Sequence, residues 1–565
     1  MTDEERDEQF YRDTQGIAFP KLDDHQLAVL EPLGSHRIIR RGEFVFKAGQ
    51  RDMGLSVILR GEIEVYEARD GQEQVLAEMG PRDAMGDVSM LMGTAALANA
   101  RGKAEESEIL EVPSAVIRQA MAELPGVAEP LVRAFMMRRK RLLRDREFGG
   151  LRIISQDGSR DGRLLDDFLY KNHIPHRWID SASETGRALC QRLRLADRDL
   201  PALITPTGMP LRRPSLREAS QVAGLLRPLA LEDQYEVNCD LAIIGAGPAG
   251  LGAAVYAASE GLKTVVLESF APGGQAGSSS FIENFFGFPT GISGADLTFG
   301  AQVQAYRFGA KFSMPSQALS LSLSNGEYRA NLQVESCQAT LRAKCAIIAT
   351  GAEYGRIDAE GREEFEGFGV YYACTAREGR LCGRTTAVVV GGGNSAGQAA
   401  MFLSDTAEKV LLVIRGAGLS RTMSSYLSRR IETSSKIEIL RHTEVRKMKG
   451  NKFLESVELE NTQTGERRTE KTCAVFSMIG AKPCTSWLPP EIECDEKGFI
   501  KTGHAVTGAP AWKGMDRKPG PLETSWPGIF AAGDVRSGSV KRCAAAVGEG
   551  GMAVEGVHDV LRTYV

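Results

Sequence analysis

Apolar residues recur along the chain with different periods, and each change of period marks a change of architecture. Between about residues 20 and 145 they alternate with polar ones over short runs: HRIIRRGEFVFKAG, GLSVILRGEIEVYEAR, EQVLAEMGPRDAMGDVSML and SEILEVPS. A period of two with turns between predicts short strands with one buried face, hence a small β-barrel or jelly roll. It is followed by VAEPLVRAFMMRRKRLLRDRE, apolar at helical spacing and strongly basic at its end. That basic run is expected to be a solvated helix face, favoured by the C-terminal dipole. EFGG, 147–150, reads as a hinge. From 151 to 228 strands and helices alternate: LRIIS, DGRLLDDFLYKNHI, PHRWIDS, ETGRALCQRLRL, PALITPTG and SLREASQVAGLL predict a compact βαβ module.

Residues 240–268 read DLAIIGAGPAGLGAAVYAASEGLKTVVLE: a strand, a glycine turn, a small-residue helix and a second strand ending in an acid. In the turn Gly245-Ala246-Gly247-Pro248-Ala249-Gly250, the first glycine allows the tight bend and the second the approach of a pyrophosphate. The third allows close helix–strand packing, and Glu268 suits a ribose hydroxyl. The logic recurs at 386–415, TAVVVGGGNSAGQAAMFLSDTAEKVLLVIR, with Gly391-Gly392-Gly393-Asn394-Ser395-Ala396 as the turn. Here the second strand ends in Arg415, with Arg421 close behind, and a cation suits a 2′-phosphate that an acid would repel; NADPH is expected rather than NADH. Two dinucleotide sites on one chain imply a flavin and a nicotinamide exchanging hydride.

Further segments carry a family resemblance. Gly273-Gly274-Gln275 and Ile282-Glu283-Asn284 follow the first acid, and Ala349-Thr350-Gly351 closes the strand CAIIATG. GIFAAGDV, with Gly533 and Asp534, closes another before Lys541-Arg542-Cys543-Ala544 opens a small-residue helix. From about residue 237 onward the chain resembles a low-molecular-weight thioredoxin reductase, with FAD in a split Rossmann-like domain and NADPH in an inserted one. The resemblance implies an FAD domain at 237–354 and 487–565, an NADPH domain at 355–486, and a homodimer. It implies FAD contacts from Gly274, Gln275, Asn284, Thr350, Gly351, Gly533 and Asp534. It also aims the helix that starts near Arg542 and Cys543 at the flavin pyrimidine, where its N-terminal amides stabilise negative charge.

One departure from that family is as informative as the match. A thioredoxin reductase needs a Cys-x-x-Cys before its second Rossmann strand, and this chain has GVYYACTAREGRLC, with Cys374 and then Ala376 or Arg377, according to register, where the partner thiol is required. Cys382 is eight positions on, outside any local redox motif. Electrons are therefore expected to leave the flavin directly, as in the related ferredoxin:NADP reductases; the acceptor stays open among a ferredoxin, a flavodoxin, a thioredoxin-like protein, a quinone and oxygen. Cys374 and Glu378 are the candidate catalytic residues, against the plain alternative that they only pack on the isoalloxazine. Two other functions stay open: a thioredoxin-disulfide reductase drawing a second thiol from Cys382 or Cys543, and a redox sensor regulated by a ligand of the barrel.

The N-terminal part carries two weaker resemblances. GLSVILRGEIEVY with Gly86-Asp87-Val88-Ser89 is similar to cyclic-nucleotide-binding domains, which implies such a domain over 1–147. Asp87 stands for the family's ribose-binding glutamate, Ala96 falls near the slot of its phosphate-binding arginine, and Arg101 lies five positions later. A buried phosphate without a cation loses charge-assisted hydrogen bonds, so a barrel used for contacts or inter-domain control competes with a cyclic-nucleotide site. The strand order of 148–230 and its Leu200-Pro201 resemble a thioredoxin or glutaredoxin domain, but SQDGSRDG replaces the redox motif. Cys190 is expected in the core. His173 and His176, separated by Ile174-Pro175 with no cysteine nearby, do not read as a zinc site, and no metal is expected.

Composition narrows the class further. The 565 residues are enough for three or four domains, and a net charge of −4 with mixed signs throughout offers no nucleic-acid or membrane surface. Ten scattered cysteines, none in a Cys-x-x-Cys, fit a reducing compartment. The acidic start MTDEERDEQF and the lack of any long apolar run point to the cytoplasm.

Overall fold

Alternation in the first third of the chain becomes two antiparallel sheets. One runs in the order Ser35–Arg40, Glu106–Val112, Leu55–Arg60, Ala84–Met85; the other in the order Phe44–Phe46, Asn99–Gly102, Ile63–Arg69, Gln72–Met79. From the inner faces of the two sheets Ile39, Val45, Ile58, Ile63, Met85 and Ile109 form one buried cluster, while residues 55–58 are buried on both faces. The computed structural model describes residues 3–69, 72–145, 148–226, 236–279, 281–335, 340–372, 374, 379, 382–383, 385–420, 423–451 and 453–564. It divides into two units: residues 1–234 with 258–271 and 303–317, and the remainder.

The basic run that ends the barrel departs from expectation. In the helix Pro125–Arg144, Arg133 and Arg144 are solvated, but Arg138 and Arg139 are buried. Helical spacing places them on the same face as Leu131, Ala134 and Phe135, which the charge pattern alone conceals. Arg138 donates to the carbonyls of Ala18, Ala84 and Gly86 at 2.7, 2.8 and 2.7 Å. Arg139, 1% exposed, donates to the Asp87 carboxylate at 2.6 and 3.1 Å, to Ser89 Oγ at 2.8 Å and to the His173 carbonyl at 3.0 Å.

The glycine pair read as a hinge is also fastened. Buried Glu67 accepts the backbone N–H groups of Gly149 and Gly150 at 2.8 and 2.7 Å. Arg177 Nε donates to the Phe148 carbonyl at 2.8 Å. A Glu67→Gln change keeps one acceptor and turns an amide N–H₂ toward a second donor. It should cost about 1–2 kcal/mol in urea denaturation, followed by the fluorescence of Trp178 beyond the hinge in a chain whose Trp487, Trp512 and Trp526 are replaced by Phe; an unchanged midpoint would show the clamp to be energetically idle.

Residues 151–226 form a four-stranded sheet in the order His176–Asp180, Leu151–Ser155, Ala202–Ile204, Pro210–Arg212, the first pair parallel and the others antiparallel. Ile153, Phe168, Leu169 and Leu203 pack beneath it. His176 is held between the Ile174 carbonyl, 2.7 Å from Nδ1, and the Asp166 carboxylate, 2.8 Å from Nε2, with burial holding the imidazole below its ordinary pKa. Cys190 packs near Leu189 and Leu195, and burial raises its thiol pKa. The same unit contains Thr264–Leu267, parallel to Lys311–Ser313.

In the second unit Glu236–Ile244 lies parallel to Thr340–Ile348, which is parallel to Ile529–Ala531 and antiparallel to Ala330–Val334. A separate five-stranded parallel sheet runs Val370–Tyr371, Ala474–Ser477, Thr386–Val390, Lys409–Val413, Ile437–Leu440. Its central strands are buried on both faces, which is why TAVVV and KVLLV read as unbroken apolar runs. Ala352–Gly355 and Ile479–Pro483, at the two expected junctions, pair antiparallel with one another. No helix among the described residues is long and apolar enough to cross a membrane.

Candidate active site

The first glycine turn follows from what its carbonyls touch. Gly245 has φ +102°, and a Cβ there would stand 2.4 Å from the Ala349 carbonyl oxygen; a Cβ on Gly250 would stand 1.9 Å from the Gly245 oxygen. These two glycines let the turn and the helix Pro248–Ser259 close upon the strand ends. Gly247 differs: the nearest atom to its Cβ direction is Gly274 Cα at 3.9 Å, so the space before it is open. Ala246 accepts the Gly273 N–H at 2.7 Å, bringing the Gly273-Gly274-Gln275 segment to the turn, and Ala249 is buried below it. Gly351, φ +67°, likewise has nothing within 4 Å of its Cβ direction. This glycine-lined cradle fits a dinucleotide pyrophosphate.

Around it, Gln275 Nε2 donates to the Ala352 carbonyl, and Thr350 Oγ1 donates to the Cys484 carbonyl at 2.9 Å. Gly533 N–H donates to Glu549 Oε2 at 2.7 Å, and Arg536 is paired with the same carboxylate. Glu549 thereby holds the Gly533-Asp534 turn, a role hidden in the sequence because it sits within a run of small residues. Burial raises the Asp534 carboxyl pKa, opposed by Lys541, whose own ammonium is lowered by burial. The helix Cys543–Tyr564 begins directly after exposed Arg542, and burial pushes the Cys543 thiol up to about 11. Asn284 is exposed, beside Glu283, which is paired with Arg430 at 2.7 and 2.9 Å. In the first unit Glu268 follows Thr264–Leu267, and its carboxylate accepts the Phe270 N–H at 2.9 Å.

The second turn is built alike. Gly391, φ +141°, would put a Cβ 2.5 Å from the Met478 oxygen; Gly393 caps the helix Asn394–Ser404, and Ala396 is fully buried. Asn394 Oδ1 accepts the Ser424 N–H at 2.8 Å, so this side chain orders the following loop. Gly392 is half-buried in the turn, and Arg415 is exposed just past Lys409–Val413. Arg421 and Glu378, together with Ala376 and Arg377, lie outside the described residues.

A small cavity of about 70 Å³ brings together residues that follow the first glycine turn and residues of the second. Gln275 and Ser279 line it from one side, Ser395, Ala399 and Met478 from the other, with Tyr354 and Cys374 between. Cys374 is 6% exposed, and its backbone bridges to Ser279. Tyr354 is half-buried, which raises its pKa, and its hydroxyl is hydrogen-bonded to Ser395. Sequence reading missed Tyr354 because it sits in a segment, EYGR, that reads only as a junction. Cys374 and Cys382 belong to one buried cluster, and Cys382 is also hydrogen-bonded to Cys473.

In the barrel, Asp87 caps the short helix Val88–Met92 and is paired with Arg139, while Arg101 is paired with Glu64 and Glu73. Ala95, beside the arginine slot at Ala96, is packed on Gly224, where a Cβ would stand 2.3 Å from the Ala95 nitrogen.

Residues 239–550 match the family described as pyridine nucleotide-disulphide oxidoreductase, and residues 36–123 match the cyclic nucleotide-binding domain. A thioredoxin reductase of Bacillus subtilis is 34% identical over 319 residues, covering 56% of this chain and 93% of the relative. A 34.2 kDa protein in the rubredoxin operon of Clostridium pasteurianum is 34% identical over 318 residues, covering 56% and 96%. The solved thioredoxin reductase of Lactococcus lactis, in its FR conformation, has a TM-score of 0.51 at 28% identity, covering 57% of this chain and 99% of that one. The chain therefore belongs to the pyridine nucleotide-disulphide oxidoreductase family. It is an NAD(P)H-dependent flavin oxidoreductase of the thioredoxin reductase-like kind, whose members use FAD and NADPH.

Proposed function

We propose that the chain passes reducing equivalents from NADPH through FAD to an external acceptor without a protein dithiol. The observation that carries this reading is the cavity: Cys374 is the one cysteine among the described residues that line it, and positions 373 and 375–378 hold none in the sequence. When bound, the two cofactors supply the hydride chemistry. The protein's part is to hold and orient. Gly247, Gly274, Gly351 and Asp534 would cradle the flavin dinucleotide, the Gly391–Ala396 turn and Arg415 the nicotinamide one. Tyr354 and Ser395 tie the two segments together beside Cys374, restricting water at the place where the rings must meet.

The boundaries 237–354 with 487–565 for FAD and 355–486 for NADPH, and a homodimer, belong to this proposal and rest on the family resemblance. The strand order of 151–212 supports a thioredoxin-like module with no redox motif, serving docking or regulation. For the barrel, the Arg139–Asp87 pair favours inter-domain control over cyclic-nucleotide binding.

Anaerobic reduction with NADPH, followed by reoxidation with ferredoxin, flavodoxin, thioredoxin or a quinone, identifies the acceptor. Under direct exit the Cys374→Ala enzyme keeps its acceptor-linked NADPH oxidation within about threefold, a packing-sized effect. A loss of roughly a hundredfold or more, with flavin reduction intact, would place that sulfur on the electron path instead.

A further inference from the structure

Cys382 and Cys473 are distant in sequence and meet at the N-terminal end of two inner strands of the five-stranded parallel sheet. Cys473 immediately precedes the strand Ala474–Ser477, and Thr385 immediately precedes Thr386–Val390; the two strands are neighbours, with Ala387 opposite Ala474. Thr385 Oγ1 stands 3.3 Å from Cys473 Sγ and 3.2 Å from the Cys382 carbonyl oxygen, to which it can donate. The two thiols are hydrogen-bonded to each other, Cys382 fully buried and Cys473 half-buried. The pair lies at the N-terminal end of Thr386–Val390, whereas the Gly391 turn lies at its C-terminal end, about 15 Å away along the strand. It therefore stands apart from the place where nicotinamide and flavin exchange hydride.

We propose that Cys473 and Cys382 form a thiol–disulfide exchange site for small-molecule disulfides, the accessible Cys473 attacking and the buried Cys382 resolving. The Cys473 thiolate attacks one sulfur of the external disulfide, forming a mixed disulfide and releasing one thiolate, which takes up a proton. Cys382 then loses its proton and displaces the second thiolate, closing the Cys382–Cys473 disulfide. Two protein thiols are oxidised, and one external disulfide is reduced to two thiols. The Cys473 thiol is drawn down to about 6, chiefly by its hydrogen bond with Cys382 and further by Thr385, against the opposing effect of burial. At neutral pH the attacking sulfur is thus largely thiolate. Closure would tie the end of the segment that carries Cys374 to the sheet.

The test treats the full-length flavoprotein with glutathione disulfide and maps its peptides without reduction. The expected product is a 382–473 cross-link, which also forms in Cys374→Ala. Cys382→Ser should trap a glutathione adduct on Cys473, and Cys473→Ser should give neither product. Before oxidation, iodoacetamide at pH 7 should label Cys473 roughly tenfold faster than Cys190, whose thiol burial holds protonated. Full labelling of both thiols after excess glutathione disulfide, or a cross-link joining Cys374 to Cys382, would overturn the proposal. Neither outcome bears on flavin-dependent NADPH oxidation, which is assayed separately.

Discussion

Gly247→Val yields a folded chain that purifies without flavin. The Cβ direction of Gly247 meets only Gly274 Cα, at 3.9 Å, so the substitution spares the packing of strand and helix. The new methyl groups fill the opening through which the backbone would approach a pyrophosphate. Overpacking of about 3 kcal/mol weakens flavin binding roughly a hundredfold. Far-UV circular dichroism should match the parent while the visible flavin absorbance disappears. Gly250→Val is the informative contrast: with a Cβ 1.9 Å from the Gly245 oxygen it should disrupt the turn and the fold together. A yellow Gly247→Val protein with parental NADPH oxidation would refute the assignment of this turn to FAD.

Arg415→Glu should raise the KM for NADPH on the order of thirtyfold or more and leave the KM for NADH within about threefold. The guanidinium stands exposed at the end of Lys409–Val413, where the second strand of a Rossmann unit presents its specificity residue. Glutamate there replaces attraction for a 2′-phosphate with repulsion and leaves a ribose hydroxyl an acceptor. The change should narrow as salt is added, because an exposed charge is screened. Equal KM shifts for both nucleotides would show that Arg415 does not read the phosphate.

Much of the nucleotide machinery was legible in linear order because each of its parts is local. A glycine turn, the strand before it, the helix after it and the residue ending the next strand lie within about thirty positions, and short-range sterics dictate their form. Gly245 and Gly250 occupy the close approaches that their spacing predicted. The alternating barrel strands were legible for the same reason, since a period of two states which face is buried. The basic helix was misread at Arg138 and Arg139, because a run of like charges shows its composition and hides the rotation that buries two of its members.

Sequence by itself determined the two glycine turns, the acidic and basic ends of the strands that follow them, and the absence of a Cys-x-x-Cys. Only the tertiary structure decided that Tyr354, Ser395 and Cys374 share one cavity, that Glu549 holds the Gly533-Asp534 turn, that Arg139 occupies Asp87, and that the thiol beside Cys382 is Cys473. The reason is range: turns and strand faces are set by neighbours a few bonds away, whereas these pairings depend on which parallel strands lie side by side and on where a helix meets the barrel. Such contacts join residues up to more than a hundred positions apart, and no local pattern encodes them.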